Sequence, residues 1–534
     1  ATWVKLRADY VVIIAGGTRR VLDVTDKFGA LEREQNILAD LPHAYGKPQE
    51  FRFYKGSEND IKPVDREDLI AAIKKCHQTL WGGGRLSPPT AFGELCKLIF
   101  VKISDEQKPR KKGEPYQFQI KTHEPASKLA ERINALYDEQ KKKDPEVFTD
   151  SIKVDDRVLR TVVSHLEAIN LHETDLDVKG VAFEQFMDGF FKGDFGQYFT
   201  PRPIIEFAVK MTAPEHDWDV LDTSCGSGGF LLYALDYIRH QATEYYEKGS
   251  ADHYRYWHDF AEKHLYGIEI NDFAVTVAKT ALWIAESQMM KETEDIVHMN
   301  LDFLPLTTNA FIVEGNSLQI DWESVVPKNQ VSYIMGNPPF VGYSLQSKEQ
   351  KNDILSIYVD EKGKPYKTAG KIDYVAGWYF KAAQFMQGTA IRTAFVSTNS
   401  ITQGEQVAGV WKPLYDRFGI HIDFAHRTFI WDSEASVKAH VHCVIVGFSE
   451  KTNSEVRYIY SGERYQEAKN INAYLLEAPD IFIESRKQPI SNVPEMIYGN
   501  KPTDGGFLFL SDEEYEDVKN DSEVSRWIRQ IYGA

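Results

Sequence analysis

The segment from Tyr333 to Phe340 ends an apolar run with Asn-Pro-Pro-Phe, and it is the most chemically informative stretch of the chain. Each proline fixes its own φ and pushes the residue before it into an extended conformation, so the loop is stiff. It presents the Asn337 carboxamide and the Pro338 carbonyl as two fixed acceptors. Two acceptors that hold both hydrogens of an aromatic amine out of plane would draw its lone pair toward sp³. The amine could then attack a methyl donor in line, without a general base.

Phe340 adds an aromatic face to this loop, on which a base turned out of a duplex could stack. We therefore take Asn337, Pro338, Pro339 and Phe340 as the candidate catalytic residues. For a bare string of four residues, the alternative interpretation is a structural Pro-Pro turn after a strand.

An earlier apolar run meets a glycine-rich turn in Val220-Leu-Asp-Thr-Ser-Cys-Gly-Ser-Gly-Gly-Phe230. Ligands of open α/β sheets bind at the carboxyl ends of the strands, where we expect Asp222. Glycines such as Gly226 and Gly228 let the backbone approach a ligand and adopt positive φ. The turn lacks the G-x-G-x-x-G pattern of a pyrophosphate site, so a nucleotide-type cofactor without phosphate fits better. The alternative is a tight strand-to-helix turn that binds nothing.

Two further polar residues follow predicted strands. Glu269 ends Tyr266-Gly-Ile-Glu-Ile270, and a carboxylate at the tip of the second strand can accept both hydroxyls of a ribose. It lies about twice as far beyond the glycine turn as the roughly 20 residues usual for this role, which predicts an inserted or extended helix. Asn316 follows the strand at 311–314 and could meet the adenine ring of a cofactor. On spacing alone, a surface carboxylate and a turn-forming Asn are equally good interpretations.

These residues need strands that end at one edge of a sheet. From about residue 195, apolar strand-like runs alternate with amphipathic helices, which predicts a parallel, doubly wound α/β sheet. Residues 421–449 contain strands without a long helix between them, so we expect a terminal antiparallel hairpin. The predicted strands are Asp219–Asp222, Leu265–Glu269, Ala310–Glu314, Ser332–Met335, Thr393–Ser397 and Val441–Phe448. The predicted helices are Ile204–Met211, Gly229–Gln241, Phe273–Ser287 and Val375–Met386.

The first 190 residues carry a different pattern. Residues 1–60 contain short β-like pieces, with Tyr10–Ile14 and Arg20–Val24 as a hairpin around Gly16-Gly17. The polar stretch 104–150 is more readily a solvated linker and helix face than a patch for the DNA backbone. Helices are predicted at Asp68–Leu80, Ala91–Ile103 and Val181–Phe191.

Composition narrows the class of protein. No apolar run reaches the about 18 residues of a membrane span and no secretory signal pattern is found, so we expect a cytoplasmic protein. The four cysteines form no C-x-x-C pair, which argues against a zinc site or a disulfide scaffold. The net charge is −17, yet a local basic surface suffices for nucleic acid because charges are screened within about 10 Å. The chain starts at Ala1 and not at Met, which suggests processing or trimming.

Together these motifs resemble those of the amino-methylating DNA methyltransferases of restriction-modification systems. Residues 337–340 match that family's catalytic tetrapeptide, in the Asn-first, Phe-last form that usually accompanies adenine methylation. Residues 222–230 resemble its cofactor loop. The resemblance covers about residues 66–510 and is most specific at these two motifs. It implies S-adenosylmethionine as the cofactor and double-stranded DNA with a flipped target adenine as the substrate.

The resemblance also implies roles for individual residues. The segment 196–202 is similar to the part of type I modification subunits that folds over the methionine portion of the cofactor. Glu269, followed by Ile270, stands where the family has its ribose-binding acid, and Asn316 stands where it has a polar residue near the cofactor's adenine. Cysteine at 225 departs from the commoner family residues, which matters little because the position offers mainly backbone. The other implied cofactor contacts are Gln197, Tyr198, Phe199, Thr200, Pro201, Asp222, Ser224, Cys225, Gly226, Gly228 and Phe230.

The resemblance divides the chain into four parts. Residues 1–60 form a small β-containing segment that resembles at most the last strands of a nuclease domain, and residues 61–190 form a helical domain. Residues 191–450 form a methyltransferase domain with a Rossmann-like class I sheet, and residues 451–534 begin a recognition or connector region. The stretch 342–448 looks closer to single-chain restriction-modification enzymes. We find no acidic pair followed by Glu-x-Lys, so DNA cleavage is not predicted.

Other interpretations stay open. Asn-Pro-Pro loops with aromatic ends also serve enzymes that methylate RNA or a protein glutamine, although the long N- and C-terminal parts weigh against these two. Methylation of cytosine N4, which more often accompanies a Ser-first version of the tetrapeptide, is another alternative. A DNA-binding or assembly subunit with a vestigial site is a further alternative, against which the intact Asn337 and Glu269 argue. A specificity or restriction subunit is the partner that the resemblance implies. No metal site is predicted.

Overall fold

The computed structural model divides the chain into two compact units, Ala1–Ile483 and Glu484–Ala534. It describes residues 9–15, 18–24, 35–42, 48–143, 151–174, 200–215, 219–245, 265–272, 274–282, 285, 310–431, 441–451, 456–486, 488, 491–494 and 505–530. Within these residues, no helix has the length and apolarity that a membrane span requires. The predicted helix Val181–Phe191, the turn at Gly16-Gly17 and the candidate cofactor residues Gln197, Tyr198 and Phe199 lie outside the described residues.

In its described residues, the N-terminal part contains a small antiparallel sheet and four α-helices. The sheet has the order β1-β2-β3, with β1 at Tyr10–Ala15, β2 at Thr18–Asp23 and β3 at Ile37–Leu38. The helices are α1 (Arg66–Gln78), α2 (Pro88–Gln107), α3 (Ala126–Lys143) and α4 (Asp156–Leu166). The predicted hairpin and the two predicted helices of residues 66–105 are therefore present, with ends that differ by a few residues.

Capping residues define the N-termini of two of these helices, and apolar side chains pack the helices together. Asp65 caps α1 by accepting from the N–H of Asp68 (2.9 Å), and Ser87 caps α2 by accepting from Thr90 (3.3 Å). The helices share one apolar core.

The prediction of a solvated linker at 104–150 is wrong for the part that packs into this core, because apolar residues recur at helical spacing along α3. The buried residues of that part include Phe118, Leu129, Ile133 and Tyr137.

A nine-stranded mixed sheet forms the centre of the larger unit. Its strands are β4 (Asp219–Asp222), β5 (Leu265–Glu269), β6 (Ala310–Glu314), β7 (Val331–Gly336), β8 (Arg392–Thr398), β9 (His421–Trp431), β10 (Val441–Ser449), β11 (Arg457–Ser461) and β12 (Arg464–Ala468). Their order is β12-β11-β9-β10-β8-β7-β4-β5-β6. Strands β8, β7, β4, β5 and β6 are parallel, and β10 is antiparallel to both β8 and β9.

Helices cover both faces of this sheet. They are α5 (Arg202–Thr212), α6 (Gly229–Tyr245), α7 (Lys348–Ile357), α8 (Ala376–Phe385) and α9 (Gly404–Phe418), and residues 274–282 are also helical. Successive strand residues point to opposite faces. Val220 and Tyr333 therefore pack with α5 and α6, whereas Leu221 and Ile334 pack with α8 and α9. Full burial of one such side chain contributes about 1.5–3 kcal/mol to the free energy of unfolding. Packing on both faces therefore fixes the positions of the strand ends.

The predicted α/β sheet with a terminal antiparallel hairpin is confirmed. Strands β4, β5 and β6 have the predicted bounds, and α6 runs beyond the predicted Gln241 to Tyr245. The end of the predicted helix Phe273–Ser287 lies largely outside the described residues. The sheet continues to Ala468 in β12, so the predicted domain boundary at 450 falls inside it. The division into four parts stays a proposal.

The described residues of the smaller unit, Glu484–Ala534, contain one α-helix, α10 (Asp512–Val518), and a 3-10 helix at Ser525–Trp527. A capping box starts α10: Ser511 accepts from the N–H of Glu514 (3.3 Å), and the Glu514 carboxylate accepts from the N–H of Ser511 (2.8 Å). No residue of α10 is buried. Phe507 and Leu508, just before it, are 91% and 76% exposed, which leaves an apolar surface on this unit.

Candidate cofactor and catalytic site

The glycine turn and the Asn-Pro-Pro-Phe loop leave the sheet side by side. They follow the neighbouring parallel strands β4 and β7, in which Asp222 is aligned with Met335. The next residue, Gly336, has φ +155°. A Cβ at this position would lie 2.6 Å from Oδ1 of Asp222 and 3.3 Å from Oγ of Ser224. The two segments therefore touch, and only glycine fits between them.

Asp222 is fully buried behind the glycine turn. Its Oδ1 accepts a hydrogen bond from the backbone N–H of Ser224 (3.0 Å). Burial raises the pKa of Asp222 to about 8, against the lowering effect of the Ser224 N–H, and the nearby Glu269 carboxylate adds to the rise. Among the described residues, neither Oδ2 of Asp222 nor Oγ of Ser224 has a hydrogen-bond partner. Buried polar atoms normally have one, so the turn is suited to a polar ligand.

Glu269 joins the tips of β4 and β5. Its Oε2 accepts from the N–H of Gly226 (2.9 Å), and its Oε1 accepts from the N–H of Asn271 (2.9 Å). A carboxylate offers about four acceptor positions, so both oxygens retain capacity for a pair of hydroxyls. Ile270, the next residue, is 67% exposed and places an apolar side chain at the same strand tip.

Close packing fixes the shape of the turn. Gly226 and Gly228 have φ values of +52° and +87°, a region that favours glycine. A Cβ on Gly228 would lie 3.2 Å from Cβ of Ala278 in the helical segment 274–282. Cys225 is buried against β5 and its N–H donates to the carbonyl of Ile268 (3.1 Å), so this position presents backbone. Phe230 is buried in the core beneath the turn.

Asn316 follows β6, and its side chain is already engaged within the protein. Its Oδ1 accepts from the N–H of Leu318 (2.9 Å), and its Nδ2 donates to Oδ2 of Asp353 (2.9 Å). The geometry therefore fixes the orientation of Asn316. A contact between this residue and the adenine of a cofactor stays a prediction.

The two polar atoms of the Asn337 side chain, Nδ2 and Oδ1, have different surroundings. Its Nδ2 donates to the hydroxyl of Thr200 (3.0 Å), which sets the orientation of the amide. Its Oδ1 is buried and has no partner among the described residues. Thr200 and Pro201 precede α5, so Thr200, in the described end of the segment predicted to fold over the cofactor, contacts the catalytic loop. The pairing of Thr200 with Asn337 was not anticipated from the sequence.

The other three residues of the tetrapeptide, 338–340, differ in their exposure to solvent. Pro338 is buried and Pro339 is exposed. Phe340 is partly buried, and one side of it packs on the core shared by β4, β7 and α5.

Sequence reasoning also missed two supports of the site. The N–H of Trp378 Nε1 donates to the carbonyl of Thr223 in the glycine turn (3.2 Å). Asp373 accepts from the N–H of Tyr343 (3.0 Å), just after the catalytic loop, and from the hydroxyl of Ser400. Asp373 lies 30 positions from Tyr343, so no local spacing could have pointed to this contact.

The strand order, the glycine turn after β4 and the Asn-Pro-Pro-Phe loop after β7 define the class I methyltransferase fold. Comparison with known proteins agrees with this class. Residues 208–461 match the family model described as MmeI, DNA-methyltransferase domain. Residues 477–534 match the model described as MmeI, target recognition domain. The chain is thus a relative of the DNA methyltransferases of restriction-modification systems and carries an MmeI-type methyltransferase domain.

Individual relatives support this assignment. DNA methyltransferase A of Bacillus subtilis (strain 168) is 38% identical over 304 residues, which are 56% of this chain and 34% of that protein. The chain thus spans about a third of that relative's length. The type I restriction enzyme StySPI methylase subunit of Salmonella potsdam is 23% identical over 493 residues, 87% of this chain and 84% of that one. The structure of the type IIL restriction-modification enzyme MmeI in complex with DNA has 28% identity and a TM-score of 0.59, and covers 86% of this chain and 68% of that one.

Proposed function

We propose that this chain transfers a methyl group from S-adenosylmethionine to the exocyclic 6-amino group of adenine in a specific DNA sequence, as the modification part of a restriction-modification system. The observation that carries the proposal is the buried Oδ1 of Asn337, which has no partner in the part of the chain that the structure describes and lies next to the glycine turn that begins at Asp222. An unsatisfied buried acceptor is costly, by about 1–3 kcal/mol, unless a ligand supplies a donor. An exocyclic amine has that donor.

The residues around the turn fit a cofactor without phosphate. Glycines allow close approach of the backbone, and Asp222 and Ser224 offer two buried polar atoms without partners among the described residues. Glu269 retains acceptor capacity for two ribose hydroxyls beside the exposed side chain of Ile270. S-adenosylmethionine supplies an electrophilic methyl group when it is bound. In this proposal residues 197–201 cover its methionine portion, and Asn316 lies near its adenine.

The catalytic loop then has three tasks. Asn337 Oδ1 and the carbonyl of Pro338 accept the two amine hydrogens, which localises the nitrogen lone pair and directs it. Thr200 accepts from Asn337 Nδ2 and so favours the orientation in which Oδ1 is left to accept from the amine. A rotated amide would present Nδ2, a donor, to the N–H donors of the amine. Phe340 stacks on the flipped base. A loop of this kind acts by orienting the amine and does not need a strong base.

DNA and partner proteins belong to the same proposal. The match of residues 477–534 to a target recognition domain supports sequence-specific binding of double-stranded DNA by this part of the chain. The DNA complex of MmeI supports it as well. The StySPI relative is a methylase subunit, which supports a specificity or restriction subunit as a partner.

The direct test uses the full chain, labelled S-adenosylmethionine and unmethylated plasmid DNA. We expect label in the DNA, and nucleoside mass spectrometry should identify it as N6-methyladenine. RNA and a protein substrate rich in glutamine serve as controls and should stay unlabelled. Label on RNA or protein but not on DNA would reject the proposal, and N4-methylcytosine would reject the choice of base.

A further inference from the structure

Tyr374 makes two hydrogen bonds, one to the catalytic loop segment and one toward the residues that follow β6. Its backbone N–H donates to the carbonyl of Val341, the residue after the Asn-Pro-Pro-Phe loop (2.9 Å). Its hydroxyl donates to Oδ2 of Asp353 (2.8 Å), and the same oxygen accepts from Nδ2 of Asn316 (2.9 Å). A continuous series of hydrogen bonds therefore runs from Asn316, after β6, to the exit of the catalytic loop.

Asp353 is the centre of this series. It lies on α7, is only 6% exposed, and also accepts from Nε2 of Gln319 (2.8 Å). A buried carboxylate that loses one of its donors is left partly unsatisfied, so the positions of its three neutral donors depend on one another. Burial, and then the Asp353 carboxylate, raise the pKa of Tyr374, so its hydroxyl keeps its proton and stays a donor at neutral pH.

A second attachment at the loop exit does not lead to Asn316. Asp373, the neighbour of Tyr374, holds the N–H of Tyr343 (3.0 Å), and its own N–H donates to Gln406 (3.1 Å). Gln406 lies in α9, so this second set of hydrogen bonds connects the loop exit to α9. The loop exit is thus held from two directions, and the hydroxyl of Tyr374 is the group that connects it to Asn316.

We propose that Asp353 and Tyr374 are positioning residues that couple binding of the cofactor's adenine to the order of residues 337–343. The inference rests on the proposed function, in which Asn316 lies near that adenine. A ligand that fixes Asn316 also favours one arrangement of Asp353 and hence of Tyr374 and Val341. Coupling between two sites is reciprocal, so an ordered loop in turn strengthens cofactor binding. The chain thereby prepares its base-binding loop when the methyl donor is present.

Substitution of Tyr374 by Phe isolates the link. It removes the hydroxyl but keeps the backbone bond to Val341 and the packing of the ring on Trp378, whose centroid lies 5.2 Å away. In the wild-type chain, saturating S-adenosylmethionine should slow hydrogen exchange of amides in a peptide covering 337–345. In Tyr374→Phe this protection should fall about fivefold, the effect of one hydrogen bond.

Tyr379→Phe is the matched control. It also removes a buried hydroxyl, the one that bonds to Ser397 (2.7 Å) in the core of the sheet, but this bond does not connect to Asn316. It should keep the wild-type protection of the peptide. Thermal unfolding of both variants verifies that they fold. If Tyr374→Phe does not fold, Asn316→Ala tests the other end and should lose the protection at saturating cofactor.

The possible results distinguish a failure of the coupling from a failure of the proposed function. Cofactor binding with full loop protection in Tyr374→Phe would overturn the coupling and leave the proposed function standing. Equal loss of protection in Tyr374→Phe and Tyr379→Phe would also overturn it, since the effect would then be general loosening. A wild-type chain that binds no S-adenosylmethionine would overturn the proposed function and the coupling together.

Discussion

Gly336 and Asp222 are in such close contact that a single methyl group at Gly336 would lie 2.6 Å from Oδ1 of Asp222. The φ of Gly336, +155°, is also unfavourable for any other residue. We therefore predict that Gly336→Ala displaces the Asp222 carboxylate, destabilises the fold by about 1–3 kcal/mol and weakens cofactor binding. Chemical denaturation and calorimetry with S-adenosylmethionine measure the two effects.

Gly370→Ala is the control for this prediction. No atom lies within 4 Å of the Cβ that it would carry, and its φ is not positive, so it should behave as the wild type in both measurements. Cofactor affinity that is unchanged in Gly336→Ala would show that the contact between the two segments has no part in binding.

The second prediction concerns the pH dependence of stability. With its pKa raised to about 8, Asp222 holds a proton in the folded chain that the unfolded chain releases near the ordinary value of 3.8. The stability from this proton is complete below about pH 4 and is lost as the pH rises through about 8. Asp222→Asn cannot lose a proton. Its stability relative to the wild type should therefore increase between about pH 5 and about pH 8, as measured by urea unfolding without cofactor. Parallel curves for the two proteins would contradict this assignment.

A third prediction tests the support of Asn337. Thr200→Val keeps the shape of the side chain but removes the oxygen that accepts from Asn337 Nδ2. The amide then loses its preferred orientation, and the rate of methyl transfer should fall about fivefold at saturating cofactor. Thr200→Ser retains the hydroxyl and should recover most of the rate. Equal rates for the Val and Ser variants would mean that this hydrogen bond does not matter for transfer.

The fourth prediction concerns base stacking. Phe340 is partly buried. In the proposal the target base stacks on its ring, and Phe340→Ala removes that ring. Binding of the target base should weaken by about 1–3 kcal/mol, as read from the concentration of DNA that half-saturates methyl transfer. Phe340→Trp keeps an aromatic face and should lose less. An unchanged half-saturating concentration in Phe340→Ala would count against stacking.

The sequence was most informative where chemistry and local structure coincide. The strands that end at Asp222, Glu269 and Glu314 were predicted with their observed bounds, because each is a short apolar run closed by polar or glycine residues. Proximity of the glycine turn and the catalytic loop followed from the rule that parallel strands end at one edge.

Contacts between residues far apart in the chain could not be predicted from the sequence. Thr200 and Asn337 are 137 positions apart, and Asn316 and Asp353 are 37 apart, so no periodicity connects them. Strands β11 and β12 were missed because their burial patterns are irregular: β12 is exposed except at Ala468. The buried side of α3 was underestimated because its many charged residues concealed a few apolar ones at helical spacing.

Asn337 gives the most direct test of the account, through two measurements on one variant. In the proposal the Asn337 carboxamide acts on the amine in the transition state, whereas Glu269 holds the ribose. Asn337 is bonded to Thr200, and Glu269 accepts from the N–H of Gly226. Asn337→Ala should therefore lower the single-turnover rate of methyl transfer to DNA by about 100-fold or more and leave the Kd for S-adenosylmethionine nearly unchanged. Loss of cofactor affinity in proportion to the loss of rate, or a rate close to that of the wild type, would contradict the catalytic role on which the proposal depends.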